Sequence, residues 1–152
     1  MTESGAPPNA AAEELRFDHV GIQVGELEPA IAAFTRFFGY RQATAPVVNT
    51  RHQVEVVFLE KAGSLPIKLF RSIADPKRLP PKLHHLAFRT DQLEEAVRAL
   101  EAAGARVLNA PAPGEAFDDE PIAFLFAGGL NVELVSTDKR RGRLSPTPTP
   151  SK

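Results

Sequence analysis

The sequence predicts an α+β fold: two tandem βαβββ modules forming an open eight-stranded barrel-like sheet with helices outside. Three observations carry this expectation. The segment FDHVGIQVGELEPAIAAFTRFFGY, from Phe17, repeats as LHHLAFRTDQLEEAVRALEAAGA, from Leu83. Without gaps, His19 falls on His85, Leu27 on Leu93, Glu28 on Glu94 and Ala30 on Ala96. The hairpin VVFLEKAGSLPIKLF matches IAFLFAGGLNVELV, with Phe58 on Phe124 and Leu59 on Leu125. A stretch with three prolines, 74–82, separates the copies and reads as a stiff, non-helical linker.

Each element has a local reason. Residues 17–24 alternate in polarity and are partly β-branched, which predicts a strand that Gly25 breaks. Leu27, Ala30, Ile31, Phe34 and Phe38 then recur at helical spacing. Pro29 falls in the first turn, where a missing N–H is harmless, and Gly39 sits where a helix ends in the left-handed region. A short strand is expected around 40–44. Residues 54–60 and 66–72 form a hairpin across 61–65, with Gly63 suited to the turn. The second module repeats the order. It has a strand at 84–90 and a helix at 92–103 that buries Leu93, Ala96, Val97 and Leu100 and ends at Gly104. A strand at 106–108 follows, then a hairpin of 121–126 and 130–136. The modules are thus 15–73 and 83–138. Residues 1–14 are small, polar and proline-containing, and 139–152 join a basic run to Pro-Thr alternation, so both ends are expected to be disordered.

Composition narrows the function classes. The chain has 152 residues, 43% of them hydrophobic, with 18 basic against 19 acidic side chains. That balance gives no drive toward nucleic acid or an anionic membrane. Without cysteine there are no disulfides, thiolate metal sites or cysteine nucleophile. No apolar run approaches the roughly 20 residues that span a bilayer, and the N-terminus lacks a signal pattern, so a soluble cytoplasmic protein is the default expectation.

One helix cannot cover both faces of a four-stranded sheet, so the modules must pair, leaving helices outside and a concave inner face. Period-two alternation decides what lines that face. If His19 points inward, so do Gly21 and Gln23. If His85 does, so do Ala87 and Arg89. Lys68 and Phe70, and Glu133 and Val135, follow the same logic. The second hairpin turn is one residue shorter, so Lys68 falls on Glu133. Two histidines at equivalent strand positions predict a pseudo-symmetric site.

The phrases DHVGIQVGELEPAIAAF, LHHLAFRTDQLEEAVRAL, IAFLF and NVELV resemble the vicinal oxygen chelate superfamily, which includes glyoxalase I, methylmalonyl-CoA epimerase and extradiol dioxygenases. The likeness runs from about Phe17 to Thr137. It implies one divalent metal (Zn, Ni, Co, Mn or Fe) held by four strand side chains. Three are matched by His19, His85 and Glu133. The second ligand, a Glu or Gln, is replaced by Lys68, whose ammonium has no lone pair and repels a cation.

Three readings of Lys68 stay open. A metal is held by His19, His85 and Glu133 alone, with Lys68 beside it as a base or anion anchor. Or Lys68 replaces the metal by pairing with Glu133. Or another residue is the ligand, with Gln53, Glu55 and Glu60 nearby in sequence. The expected catalytic groups are Lys68 and Glu133, and the expected substrate-binding groups are Arg89, Gln23, Phe70 and Arg51. Arg89 would bind a carboxylate or phosphate. Arg51 lies near the place where the epimerase subgroup carries an acid-base Glu, and Thr50, Arg51 and His52 supply no carboxylate there. His52 would reach the cavity mouth or solvent, His84 would face outward, and the acidic stretch 111–120 would form a solvated loop or a lid.

The resemblance implies a lyase or isomerase that stabilises an enolate or enediolate of a small oxygenated substrate, a carboxylate or thioester among them, and a homodimer. The alternatives are a metal-free small-molecule binding or resistance protein and, third, an extradiol-type dioxygenase.

Overall fold

Alternating strand β1 (Arg16–Gln23) leads into helix α2 (Leu27–Phe38), after a short helix α1 (Ala10–Glu13). These belong to a computed structural model that describes residues 10–76 and 80–145. Helix α2 ends as its sequence requires. Gly39 adopts φ 75°, its N–H donates to Thr35 O, and Tyr40 N donates to Phe34 O. Strands β2 (Arg41–Gln42), β3 (Val47–Asn49), β4 (Val54–Glu60) and β5 (Ile67–Ser72) complete the first module. The second contains β6 (Lys82–Arg89), α3 (Leu93–Ala102), β7 (Arg106–Pro113), a 3-10 turn (Glu115–Phe117), β8 (Pro121–Ala127) and β9 (Leu130–Val135).

The described strands form one open mixed sheet in the order β2-β4-β5-β1-β6-β9-β8-β7, with β3 also paired to β4. The two modules meet where β1 runs antiparallel to β6. In each half the first strand pairs in parallel with the last, β1 with β5 and β6 with β9. Helix α2 seals its module through Leu27 and Ala30 packed on Val57, Leu59 and Leu69. Helix α3 seals the other through Leu93, Ala96 and Val97 packed on Ala123, Leu125 and Leu134. The inner face has a third cluster, built from both modules, that includes Val56, Phe58, Phe70, Phe117, Ile122 and Val135.

Five expectations change. The stretch around 40–44 yields the two-residue β2, and β3 adds a ninth strand. The strand expected at 106–108 runs on to Pro113. It is the edge strand, so Pro111 and Pro113 take no ladder hydrogen bond from an interior position. The acidic stretch is anchored, because Ala116 and Phe117 are buried in the inner cluster. Residues 139–145 are not a loose tail: Arg141 N donates to Ala116 O, Ala45 N to Gly142 O and Leu144 N to Ala43 O. Arg140 is buried, which a Pro-Thr-rich composition further on does not foretell. At the other end, residues 10–13 are helical rather than disordered. Residues 1–9, 77–79 and 146–152, in the expected terminal segments and linker, lie outside the described residues. Among the described residues no helix is long and apolar enough to cross a membrane.

Candidate functional site

Strand register brings the equivalent residues of the repeat together. Lys68 stands opposite Gly21 across β5 and β1, and Glu133 stands opposite Ala87 across β9 and β6. Lys68 also faces Phe58 on β4 as Glu133 faces Phe124 on β8. Their side chains meet on the inner face. Lys68 Nζ lies 3.2 Å from Glu133 Oε1 and 3.4 Å from Oε2. His19 Nε2 and His85 Nε2 each lie 3.1 Å from the same Oε1. Glu55 and Glu60 do not join this cluster: Glu55 pairs with Arg71 at 2.8 Å, and Glu60 with Arg143 at 3.1 Å.

Burial makes the charges in this cluster interdependent. Glu133 is completely buried, which alone would raise its carboxyl. The Lys68 ammonium leads the opposing causes, and the carboxyl lies well below the ordinary carboxylate value. The Lys68 ammonium also lies 5.6–5.9 Å from the ring centres of Phe70, Phe117 and Phe124, a cation held among aromatic rings. Burial pushes the His85 imidazole down to about 4, against the pull of Glu133, so it is neutral at pH 7.

Two β-bulges bring in residues that strict alternation would turn away. In the β1–β6 ladder, Phe17 pairs with Phe88 and His19 with Ala87, leaving Asp18 as the extra residue. Gly21 pairs with His85 and Ile22 with Leu83, leaving His84 as the extra residue. Asp18 and His84 occupy equivalent places in the repeat. Each contacts the Nδ1 of the histidine after it: Asp18 Oδ2 at 2.6 Å from His19, and His84 Nδ1 at 2.9 Å from His85. His84 therefore faces the site, contrary to the alternation. Asp18 also receives Arg140 at 2.6 Å and Arg89 at 3.2 Å.

Beside the cluster opens a cavity of about 360 Å³. Lys68, His85, His84, His52 and Phe70 line it, with the neutral amides of Gln23, Asn49, Asn109 and Asn131. Glu133 and His19 sit behind this wall, fully buried. The structure thus places Lys68, Gln23 and Phe70 on the cavity, and His19, His85 and Glu133 together in the cluster. Arg89 is not in the cavity. It lies at the far end of β6, drawn to Asp18 and, at 3.8 Å, to Asp138. Arg51 lines an adjoining hollow that shares His52, Asn109 and Phe124 with the cavity. Sequence reasoning missed Asp18, Arg140, Asn49, Asn109 and Asn131.

The donor set of His19, His85 and Glu133 fits a divalent metal. One ligand atom from each lies within 4.8 Å of the others, and His85 Nε2 is buried with no hydrogen-bond partner among the described residues despite its approach to Glu133. Imidazole and carboxylate are ordinary donors for such an ion. The fourth corner, Lys68, carries a positive charge instead of a lone pair.

Known proteins share both pattern and fold. The model of the "Glyoxalase/Bleomycin resistance protein/Dioxygenase superfamily" matches residues 18–124. An ethylmalonyl-CoA/methylmalonyl-CoA epimerase of Cereibacter sphaeroides is 27% identical, over 82% of this chain and 97% of that protein. A mitochondrial methylmalonyl-CoA epimerase of Dictyostelium discoideum is 25% identical, over 82% of this chain and 78% of its own. The crystal structure of methylmalonyl-CoA epimerase from Mycobacterium tuberculosis superposes with a TM-score of 0.67 at 28% identity, covering 79% of this chain and 86% of that one.

Proposed function

The chain belongs to the Glyoxalase/Bleomycin resistance protein/Dioxygenase superfamily, and we propose that it is a small isomerase-type enzyme that removes a proton next to a carbonyl and stabilises the enolate or enediolate. The observation that carries this reading is the Lys68 ammonium on the cavity wall, backed by buried Glu133 and set beside neutral imidazoles. A positive group held in a low-dielectric wall stabilises the oxygen anion that develops as the proton leaves. The named relatives act on malonyl-type thioesters, which supports a carboxylate or thioester substrate whose acyl part enters the cavity.

The residues divide the work. Lys68 donates hydrogen bonds to the carbonyl oxygen, and Glu133 keeps the ammonium in place. Gln23, Asn49, Asn109 and Asn131 offer neutral hydrogen-bonding groups along the wall. His52 and His84 are both shifted down by burial first and by Lys68 second, which keeps them neutral and able to accept a proton. They stand in for the carboxylate that Thr50, Arg51 and His52 do not supply. His19, His85 and Glu133 would hold a divalent metal, which supplies Lewis acidity at the same oxygen when bound.

Incubating the full-length protein with methylmalonyl-CoA or ethylmalonyl-CoA in D₂O tests the reading, with and without Zn²⁺, Co²⁺ or Ni²⁺. One deuterium entering at the carbon next to the thioester supports it. No exchange with either thioester under any of these conditions overturns it for this substrate class. A second reading rests on the Lys68–Glu133 ion pair itself, which neutralises the centre without a metal. It is a metal-free binding protein, marked by saturable ligand binding without exchange.

A further inference from the structure

The paired bulges and the docked C-terminal segment have a joint consequence for the two histidines. A neutral imidazole carries one proton, and the partner at one nitrogen decides which nitrogen is left bare. At His19 the partner of Nδ1 is a carboxylate oxygen of Asp18 at 2.6 Å, which accepts only. Asp18 is itself buried and held by two arginines, one of them from outside the β1–β6 pair. Arg140 from the C-terminal segment donates to the same Oδ2 at 2.6 Å, while its guanidinium packs 4.4 Å from the ring centre of Phe58 and 5.1 Å from that of Phe117. Arg89 holds the other oxygen at 3.2 Å.

We propose that Arg140 and Asp18 form a positioning relay that fixes His19 as its Nδ1–H tautomer, so that Nε2 presents a lone pair to the centre at Glu133. The relay makes the C-terminal segment part of the active site. Arg140 pins Oδ2 as the acceptor, His19 Nδ1–H donates to Oδ2, and Nε2 is left bare 3.1 Å from Glu133 Oε1. Two acceptors facing each other at that distance form a seat for a cation. At the repeat-equivalent position His84 engages Nδ1 of His85 at 2.9 Å, leaving His85 Nε2 toward the same oxygen. Partners of this kind, which orient a histidine through its other nitrogen, alter metal affinity or activity about 10–100-fold when mutated.

The inference rests on the cluster being the reaction centre, but its readout is separate from activity. Long-range ¹H–¹⁵N spectra of histidine-labelled, full-length protein at pH 8 report the protonated nitrogen of each ring. The expected spectrum shows His19 protonated at Nδ1 and bare at Nε2. A proton on Nε2, alone or together with Nδ1, overturns the relay. In Asp18→Ala/Arg140→Met, which removes both buried charges at once, the proton is expected to move to Nε2, and retention at Nδ1 counts against Asp18. Calorimetry with Ni²⁺ alone then tests Arg140. Arg140→Met is expected to weaken binding about 10–100-fold and Arg140→Lys to recover most of that loss, whereas equal affinity in wild type and Arg140→Met removes Arg140 from the relay. A wild-type Nδ1–H tautomer without measurable Ni²⁺ binding upholds the tautomer assignment and removes the metal from the proposed function.

Discussion

Lys68 occupies the place in the first module that Glu133 occupies in the second, and its Nζ lies 3.2 and 3.4 Å from the two Glu133 oxygens. The pseudo-symmetry that would give a fourth metal donor gives a cation. At about 4 Å and an effective dielectric of 20, like charges repel by about 4 kcal/mol per unit charge. Lys68→Gln removes this repulsion and supplies a carbonyl lone pair. Its affinity for Co²⁺ or Ni²⁺, measured by calorimetry, is expected to rise at least about tenfold, since 1.4 kcal/mol suffices for that. Unchanged affinity would mean that Lys68 does not guard the site.

Gly21 makes room for the other histidine. A Cβ built there would overlap the His85 imidazole ring. Gly21 has no left-handed φ, so the requirement is one of space alone. Gly21→Ala is expected to push His85 away from Glu133, lowering stability by about 1–3 kcal/mol and abolishing metal capture. Denaturant melts and a metal titration check both. An alanine variant with wild-type stability and affinity would contradict the packing.

His52 supplies a pH dependence. Burial and the nearby Lys68 and Arg51 charges hold its imidazole below the ordinary value, against the pull of Glu133. If the neutral ring accepts the substrate proton, activity persists below the ordinary histidine range and falls only as His52 becomes protonated. In Lys68→Gln one of the lowering charges is gone, so the His52 value rises and the acid limb moves to higher pH. Histidine NMR titration together with a pH–rate profile reads both. An acid limb that ignores Lys68→Gln rules out His52 as the base.

Much of this centre is legible in the sequence because it follows the repeat. The alignment that sets His19 on His85 and Lys68 on Glu133 reappears as matched strand register. What the sequence hides is where alternation fails. A bulge at Asp18 and another at His84 put consecutive residues on one face, and an argument from period two has no means to see an inserted residue. Arg89 illustrates the same limit. Its parity is that of His85, but four residues along β6 it has left the cavity and reached Asp18. Arg140 is hidden for another reason. A basic run in a polar stretch looks solvated until an acid buried elsewhere in the fold, here Asp18, gives it a partner.

In this reading the Lys68–Glu133 centre stabilises an enolate. The most direct test is the rate of deuterium entry next to the thioester of methylmalonyl-CoA in D₂O, compared between wild type and Lys68→Gln/Glu133→Gln. The double variant removes both buried charges while keeping side-chain size. The wild type is expected to exchange, and the neutral pair to lose about 10²-fold or more of that rate. A wild type that exchanges nothing, or a neutral pair that exchanges at the wild-type rate, would contradict this reading.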